Sequence, residues 1–190
     1  MKIPRFTIYM AMLFFSINFT IAQNKSLSIF SSSSFMFNKN KGIEDVIDTQ
    51  NHRTLLAAYK VTNLNKLLEN NGEFTIFAPF DSAFSKMTKN ELNNLFESEN
   101  KNQLKSILKY HIISGKLTAS KILNALCKGE GKASFPTIHG EDIHFVINGL
   151  DILLIDGNGK MAKIINADSI KGDAVMHEID NIILPTKVVK

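Results

Sequence analysis

Two histidines and two carboxylates fall within six consecutive positions, at His139, Glu141, Asp142 and His144. Imidazole nitrogens and carboxylate oxygens are common zinc ligands, so a hairpin that brought the two histidines together could bind a metal ion. The sequence defines no third ligand for such a site, because neither carboxylate has a fixed place in the expected turn. We therefore expect no metal site at this hairpin.

The segment Asp156–Lys160 spaces its first oxygen ligands like the start of a calcium-binding loop. The later ligand positions fall on Lys160 and Ala167, which carry no side-chain oxygen, so a tight hairpin turn explains the segment better. The sequence also contains no Gly-x-Ser-x-Gly elbow and no glycine-rich phosphate loop. His52 is expected at the surface and His177 in the core. We predict no catalytic residue, no cofactor and no metal, and therefore no enzyme.

The composition predicts a folded domain without a nucleic-acid partner. The 190 residues are 44% hydrophobic and 21% charged, which is ordinary for a globular protein. The net charge is +4, and Lys2 and Arg5 contribute two of those charges. The remainder is too weakly basic to favour nucleic acid or an anionic membrane. Cys127 is the only cysteine, so no intrachain disulfide can form, and we expect it to be a small buried side chain.

Residues 1–22 have the pattern of a secretory signal peptide. Lys2 and Arg5 precede the apolar run Phe6–Ile17, and Thr20-Ile21-Ala22 is a plausible cleavage site. An uncleaved anchor is the alternative, but the run is shorter than the roughly 20 residues of a good membrane span. The prediction is a secreted, periplasmic or cell-surface protein with no transmembrane segment after cleavage. Residues 23–41 are polar and rich in serine and asparagine, which predicts a flexible linker.

The remaining chain, residues 42–186, is predicted to be a single α+β domain. Apolar residues at helical spacing indicate five helices before residue 127, beginning near Ile43, Thr54, Thr88, Asn102 and Thr118. From Ser134 the apolar residues alternate, and Gly-containing turns separate short strands, the last of them predicted at residues 181–184. Helices first and strands last indicate an α+β arrangement rather than an alternating parallel one.

One early segment joins these two halves. Phe74–Pro79 alternates like a strand, Pro79 ends it, and Asp81 is placed to cap the short helix that carries Phe84. Residues expected to serve the architecture, here and in the later segment that contains His177, are Phe74, Phe77, Ala78, Pro79, Asp81, Phe84, His177 and Pro185.

Three segments together resemble the conserved motifs of the fasciclin-type domain family. They are Phe74–Phe84, the Tyr-His segment Leu108–Thr118, and Asn166–Pro185, in the family's order and spacing. The resemblance implies a fasciclin-like fold, with N-terminal helices packed on a mostly antiparallel β wedge or sandwich. One departure is Asp173-Ala174, where members usually carry Asn-Gly, so this turn is expected to have another geometry or mild strain.

The resemblance also implies candidate partner-binding residues, because some animal members have been linked to integrin binding through the Tyr-His and Asp-Ile positions. The corresponding residues are Tyr110, His111 and Asp168, with Ile170 displaced by one position because Ser169 follows the aspartate. The alternative is that Tyr110 and His111 are packed and hydrogen-bonded in the core.

Two functions remain open from the sequence. The first is adhesion or matrix association, through a protein or glycan at a cell surface. The second is a carrier that binds a small apolar ligand or lipid in a cleft between helices and sheet. A deep apolar pocket would favour the carrier, and a flat exposed patch would favour adhesion.

Overall fold

The computed structural model describes residues 46–47, 50–64, 68 and 72–187 of this chain. The helices are α1 (Arg53–Thr62), α2 (Asp81–Phe84), α3 (Lys89–Phe96), α4 (Lys101–Tyr110) and α5 (Ala119–Lys128), with a 3₁₀ turn at Ser98–Asn100. The strands are β1 (Phe74–Pro79), β2 (Ile112–Ser114), β3 (Lys132–Pro136), β4 (Asp142–Asn148), β5 (Asp151–Ile155), β6 (Met161–Lys171) and β7 (Ala174–Ile179). The predicted signal peptide and linker lie outside the described residues.

The seven strands form one sheet in the order β2-β1-β7-β6-β5-β4-β3. Every neighbouring pair is antiparallel except β1 and β7, which run parallel with Phe77 opposite His177. Strand β6 pairs with β5 through its first residues and with β7 through its later ones, with register shifts on either side of Asn166. Such irregularities bend a strand. Because β6 pairs with a different neighbour at each end, it connects the two halves of the sheet. The predicted α+β class and the mostly antiparallel sheet are confirmed.

Two hydrophobic cores lie on opposite faces of β1. Phe74, Ile76 and Ala78 belong to the core shared with the helices, whereas Phe77 belongs to a second core with Phe145 and residues of β5, β6 and β7. The alternation predicted from the sequence is therefore confirmed. All six residues of β1 are buried because this strand has a core on each side. Its central place in the fold follows from that double burial.

The second helix of the prediction is shorter than expected. Helix α1 ends at Thr62, and Asn63 adopts a left-handed conformation with φ of 53°. Asparagine tolerates that conformation better than most residues, so it can end a helix where the apolar periodicity continues. The predicted C-cap residue Asn71 lies outside the described residues.

Asp81 was predicted to cap its own helix, and this is wrong. It is the first residue of α2, while its carboxylate accepts hydrogen bonds from the amides of Arg53 (3.2 Å) and Thr54 (2.8 Å) at the start of α1. Partial burial acts to raise the pKa of Asp81, but these hydrogen bonds outweigh it and hold the pKa below its ordinary value. Asp81 therefore connects α2 to the start of α1 through hydrogen bonds. The predicted capping box between Thr88 and Glu91 is confirmed.

Three further expectations are wrong. The segment at 181–184 is not a strand. Cys127 is exposed because the buried side of α5 carries Ile122 and Leu126 instead. His52 is fully buried and stacks on Phe80, with ring centroids 5.1 Å apart. Single residues of these kinds carry no periodicity, so the sequence did not reveal their environment.

The turn at Asp173-Ala174, where the sequence departs from the family pattern, has a simple geometry. Gly172 takes the positive φ of the turn, at 60°, and Ala174 already belongs to strand β7. The turn is therefore shifted by one or two positions from the one expected. Ala174 is not in a left-handed conformation and carries no strain of that kind.

Candidate functional site

Tyr110 and His111 lie at the end of α4, and both are buried. The Tyr110 hydroxyl donates to the carbonyl of Asp142 at 2.9 Å. The amide of Ile183 donates to His111 Nε2 at 3.3 Å, so the ring proton is on Nδ1, which donates to the Ile107 carbonyl at 2.8 Å. Both residues therefore link α4 to distant segments of the chain.

Burial sets the charge state of this pair. It lowers the pKa of His111 to about 4, although the Ile107 hydrogen bond and the charge of Asp156 act in the opposite direction. Burial and the charge of Asp156 raise the pKa of Tyr110 to about 12. Both side chains are consequently neutral near pH 7. A neutral, hydrogen-bonded pair inside the domain is placed to support the fold.

His177 is a second buried histidine that joins distant segments of the chain. It stacks on Phe77 with ring centroids 5.3 Å apart, and its Nε2 donates to the Leu117 carbonyl at 2.8 Å. The amide of Asp168 donates to His177 Nδ1 at 3.3 Å. Burial lowers the pKa of His177, which keeps the ring neutral and able to accept this bond. The expected core position of His177 is confirmed.

Asp168 and Ile170 lie at the surface of β6. Asp168 has a φ of 59°, and its Oδ1 accepts a hydrogen bond of 2.8 Å from the amide of Ala119 at the start of α5. Ile170 is 54% exposed. Among the described residues, no hydrogen bond joins Asp168 or Ile170 to Tyr110 or His111. The four candidate partner-binding residues thus fall into a buried pair and an exposed pair.

The outer patch is an apolar surface on the solvent side of β4, β5 and β6, formed by Val146, Leu153, Ile155 and Met161. Val146 pairs with Leu153, and Ile155 pairs with Met161 across the next pair of strands. Their neighbours Phe145, Leu154 and Ala162 are buried in the second core, so the alternating pleat turns the outer patch to the other face. Met161 is 54% exposed, and the other three are partly exposed.

Charged residues border the outer patch. Lys132 pairs with Val146, and Lys163 pairs with Leu153. Lys163 Nζ forms an ion pair of 2.9 Å with Asp151. This surface is not predicted from the sequence, although the apolar runs 145–147 and 152–155 indicate strands that are apolar on both faces. A sheet buried on both faces and one with an uncovered apolar face give the same pattern.

The helix-side pocket is a cavity of about 360 Å³ among α1, α2, α3, α4 and residues 182–184. Its walls are mainly apolar and include Phe84, Leu104, Ile107 and Leu184. His111 reaches the wall, and exposed polar residues of α3 and the 156–160 turn border the opening. The structure therefore contains both an apolar pocket and an exposed apolar patch.

Among the residues that the structure describes, no three His, Cys, Asp or Glu side chains form a group placed to hold a metal ion. Asp156 stabilises the predicted hairpin turn, because its Oδ1 accepts hydrogen bonds from the amides of Asn158 and Lys160. None of the described helices is both long enough and apolar enough to cross a membrane.

The fold is that of a fasciclin-type domain, as expected from the sequence. The sequence profile of the Fasciclin domain matches residues 50–185, and the chain belongs to that family. Protein sll1483 of Synechocystis is 33% identical over 75% of this chain and 72% of its own length. The uncharacterised Synechocystis protein sll1735 is 30% identical, over 75% and 96%.

Some other similar proteins are longer than this chain. Pig transforming growth factor-beta-induced protein ig-h3 is 31% identical over 75% of this chain, which spans only 19% of that protein. Among solved structures, a FAS1 domain pair from the insect cell adhesion molecule Fasciclin I matches with a TM-score of 0.54 and 24% identity. That match covers 68% of this chain and 45% of the solved one, and it supports the fold.

Proposed function

We propose that this chain is exported and acts, without catalysis, as an adhesion-type interaction module at a cell surface or in a matrix. The observation that carries this proposal is the outer patch. An antiparallel sheet that faces water usually presents polar side chains there, whereas here four neighbouring positions are apolar. An uncovered apolar cluster of this kind is typical of a surface that binds a partner.

The chemistry of the outer patch favours a protein partner. Aliphatic and thioether side chains form its centre, and Lys132 with the Lys163–Asp151 ion pair forms its edge. An apolar centre with a charged rim is the usual arrangement of protein interfaces. The resemblance to adhesive fasciclin-type proteins supports the same function, as does the description of Fasciclin I as a cell adhesion molecule.

Attachment assays with paired variants test this proposal. The full chain would be immobilised, and attachment of the cells that produce it would be counted for wild type and for the double variant Ile155→Thr, Met161→Gln. We expect attachment to fall by at least fivefold, with the unfolding midpoint close to wild type because both side chains are already partly exposed. Leu123→Gln, at an exposed apolar position on α5, is the matched control and should attach normally.

Two results would contradict this assignment. Unchanged attachment in the double variant would exclude the outer patch. Loss of attachment in the variant Asp168→Asn, Ile170→Thr alone would instead locate the partner on the exposed pair of β6. A protein partner further requires that protease treatment of the cells abolish attachment; if glycosidase treatment does so instead, the partner is a glycan.

Export is tested by the mass of the mature protein. The charged start, apolar run and small-residue site of residues 1–22 support cleavage after Ala22. Protein recovered outside the cytoplasm should therefore begin at Gln23. Exported protein that still begins at Met1 would support the uncleaved anchor instead.

A further inference from the structure

The helix-side pocket has the size and surface of a ligand site. Its volume of about 360 Å³ exceeds the roughly 150 Å³ of a cavity that accommodates benzene, and it falls within the usual range of ligand pockets. By the same proportion it holds roughly fourteen non-hydrogen atoms, the number in a twelve-carbon acid. Apolar residues of four helices line it, with Phe84, Leu95 and Leu104 buried at its walls.

Among the buried residues that line the pocket none is charged, and the polar lining residue Gln103 is partly exposed. His111 is the polar residue that reaches it from the core, and both of its ring nitrogens are already bonded to the backbone of Ile107 and Ile183. Burial also lowers the pKa of His111 to about 4, so the ring is neutral near pH 7. A ligand therefore has to place its apolar part inside and its polar part at the opening.

The opening carries an excess of positive charge. Lys86 and Lys160 border it together with the single acid Glu91. Glu91 Oε2 already accepts hydrogen bonds from the amide and hydroxyl of Thr88. Lys86 Nζ donates to the Asp180 carbonyl at 2.8 Å, which holds the ammonium group in place and leaves further N–H groups to donate. Asn94 adds an exposed amide donor to the rim.

We infer that the helix-side pocket binds a single unbranched acyl chain of about ten to twelve carbons, with its anionic head at Lys86 and Lys160. The chain fills the apolar interior, and the head pairs with the two ammonium groups at the rim. A free fatty acid and a lipid with one acyl chain and an anionic head share this chemistry. The site is separate from the outer patch, so this inference goes beyond the proposed adhesive function.

Calorimetric titration of the full chain with dodecanoate, below its micelle concentration, tests the inference. We expect one saturable site per chain and a negative heat-capacity change, because apolar surface leaves water on binding. The absence of saturable binding would overturn the inference. A lysophosphatidate of the same chain length distinguishes the two sources: the tighter ligand identifies the head that the rim selects.

The role of the rim is tested by the double variant Lys86→Gln, Lys160→Gln. Its affinity for dodecanoate should fall by about tenfold or more, while its affinity for dodecanol should stay within twofold, since only the carboxylate uses the charges. Lys171→Gln, an exposed lysine outside the pocket, is the control and should change neither affinity. Equal affinity of wild type and the double variant for dodecanoate would refute the anionic head.

The location is tested by filling the pocket. Met87 lines it and is partly exposed, so Met87→Trp can place an indole ring inside with little change in the unfolding midpoint. Binding should fall by more than tenfold. Should that variant not fold, methyl NMR of the wild type decides instead: dodecanoate should shift Ile107 and Leu184 and leave Leu153 of the outer patch unchanged. Shifts at Leu153 alone would refute the site.

Discussion

The amide of Ile183 donates a hydrogen bond of 3.3 Å to Nε2 of His111, which joins the end of α4 to a segment 72 residues later in the chain. Ile183 is fully buried in the second core, and the segment that contains it forms no strand pairing. The imidazole thus replaces the backbone partner that a strand would supply to this amide. This relationship assigns His111 a structural role.

We expect His111→Ala to destabilise the domain by about 1–3 kcal/mol, because it leaves the buried Ile183 amide without its acceptor. Denaturant titration measures this loss. If the variant kept the wild-type unfolding midpoint while cell attachment disappeared, His111 would contact the partner directly. The paired measurement on one variant separates the two interpretations.

Stability should fall as the pH drops from about 6.5 to 4. The pKa of His111 is lowered to about 4 in the folded state, so the unfolded chain binds a proton first and gains stability through this range. The lowered pKa of His177 acts in the same direction. For His111 alone the loss approaches about 3 kcal/mol.

Thermal unfolding at several pH values measures this dependence. The variant His111→Phe should show a shallower decrease between pH 6.5 and 4 than wild type, whatever its stability at pH 7. A decrease of the same slope in both proteins would contradict the assignment to His111.

Asp168→Ala should lower stability by about 1 kcal/mol, because the Ala119 amide at the start of α5 loses its acceptor. Asp168→Asn should retain most of the stability, since asparagine supplies an oxygen and tolerates the φ of 59°. Urea titration of the three proteins gives the order. An alanine variant as stable as wild type would show that this contact contributes nothing.

Phe77→Ala should cost about 3–5 kcal/mol, because its fully buried ring packs between Phe145 and His177 in the second core. Phe84→Ala should cost a similar amount in the other core. Phe77→Leu retains much of the volume and is the control, with a smaller loss expected. A loss below about 1 kcal/mol for Phe77→Ala, measured in denaturant, would mean that β1 is not central.

The sequence by itself determined the class of fold and the two sides of β1. Alternation of Phe74, Ile76 and Ala78 against Phe77 is a local property, because successive side chains of any strand point to opposite faces. The capping box at Thr88 is likewise written in neighbouring residues. Three motifs in the family's order and spacing also indicate the family from the sequence alone.

Only the tertiary structure decided which hydrogen bonds single polar residues make. Asp81 caps α1 rather than its own helix, and Asp168 caps α5 from a bend in β6. These bonds span 27 and 49 residues of sequence, and no periodicity encodes a contact at that separation. The outer patch and the helix-side pocket have the same origin: sequence patterns mark which residues are apolar, but the packing of distant elements decides which of them stay uncovered.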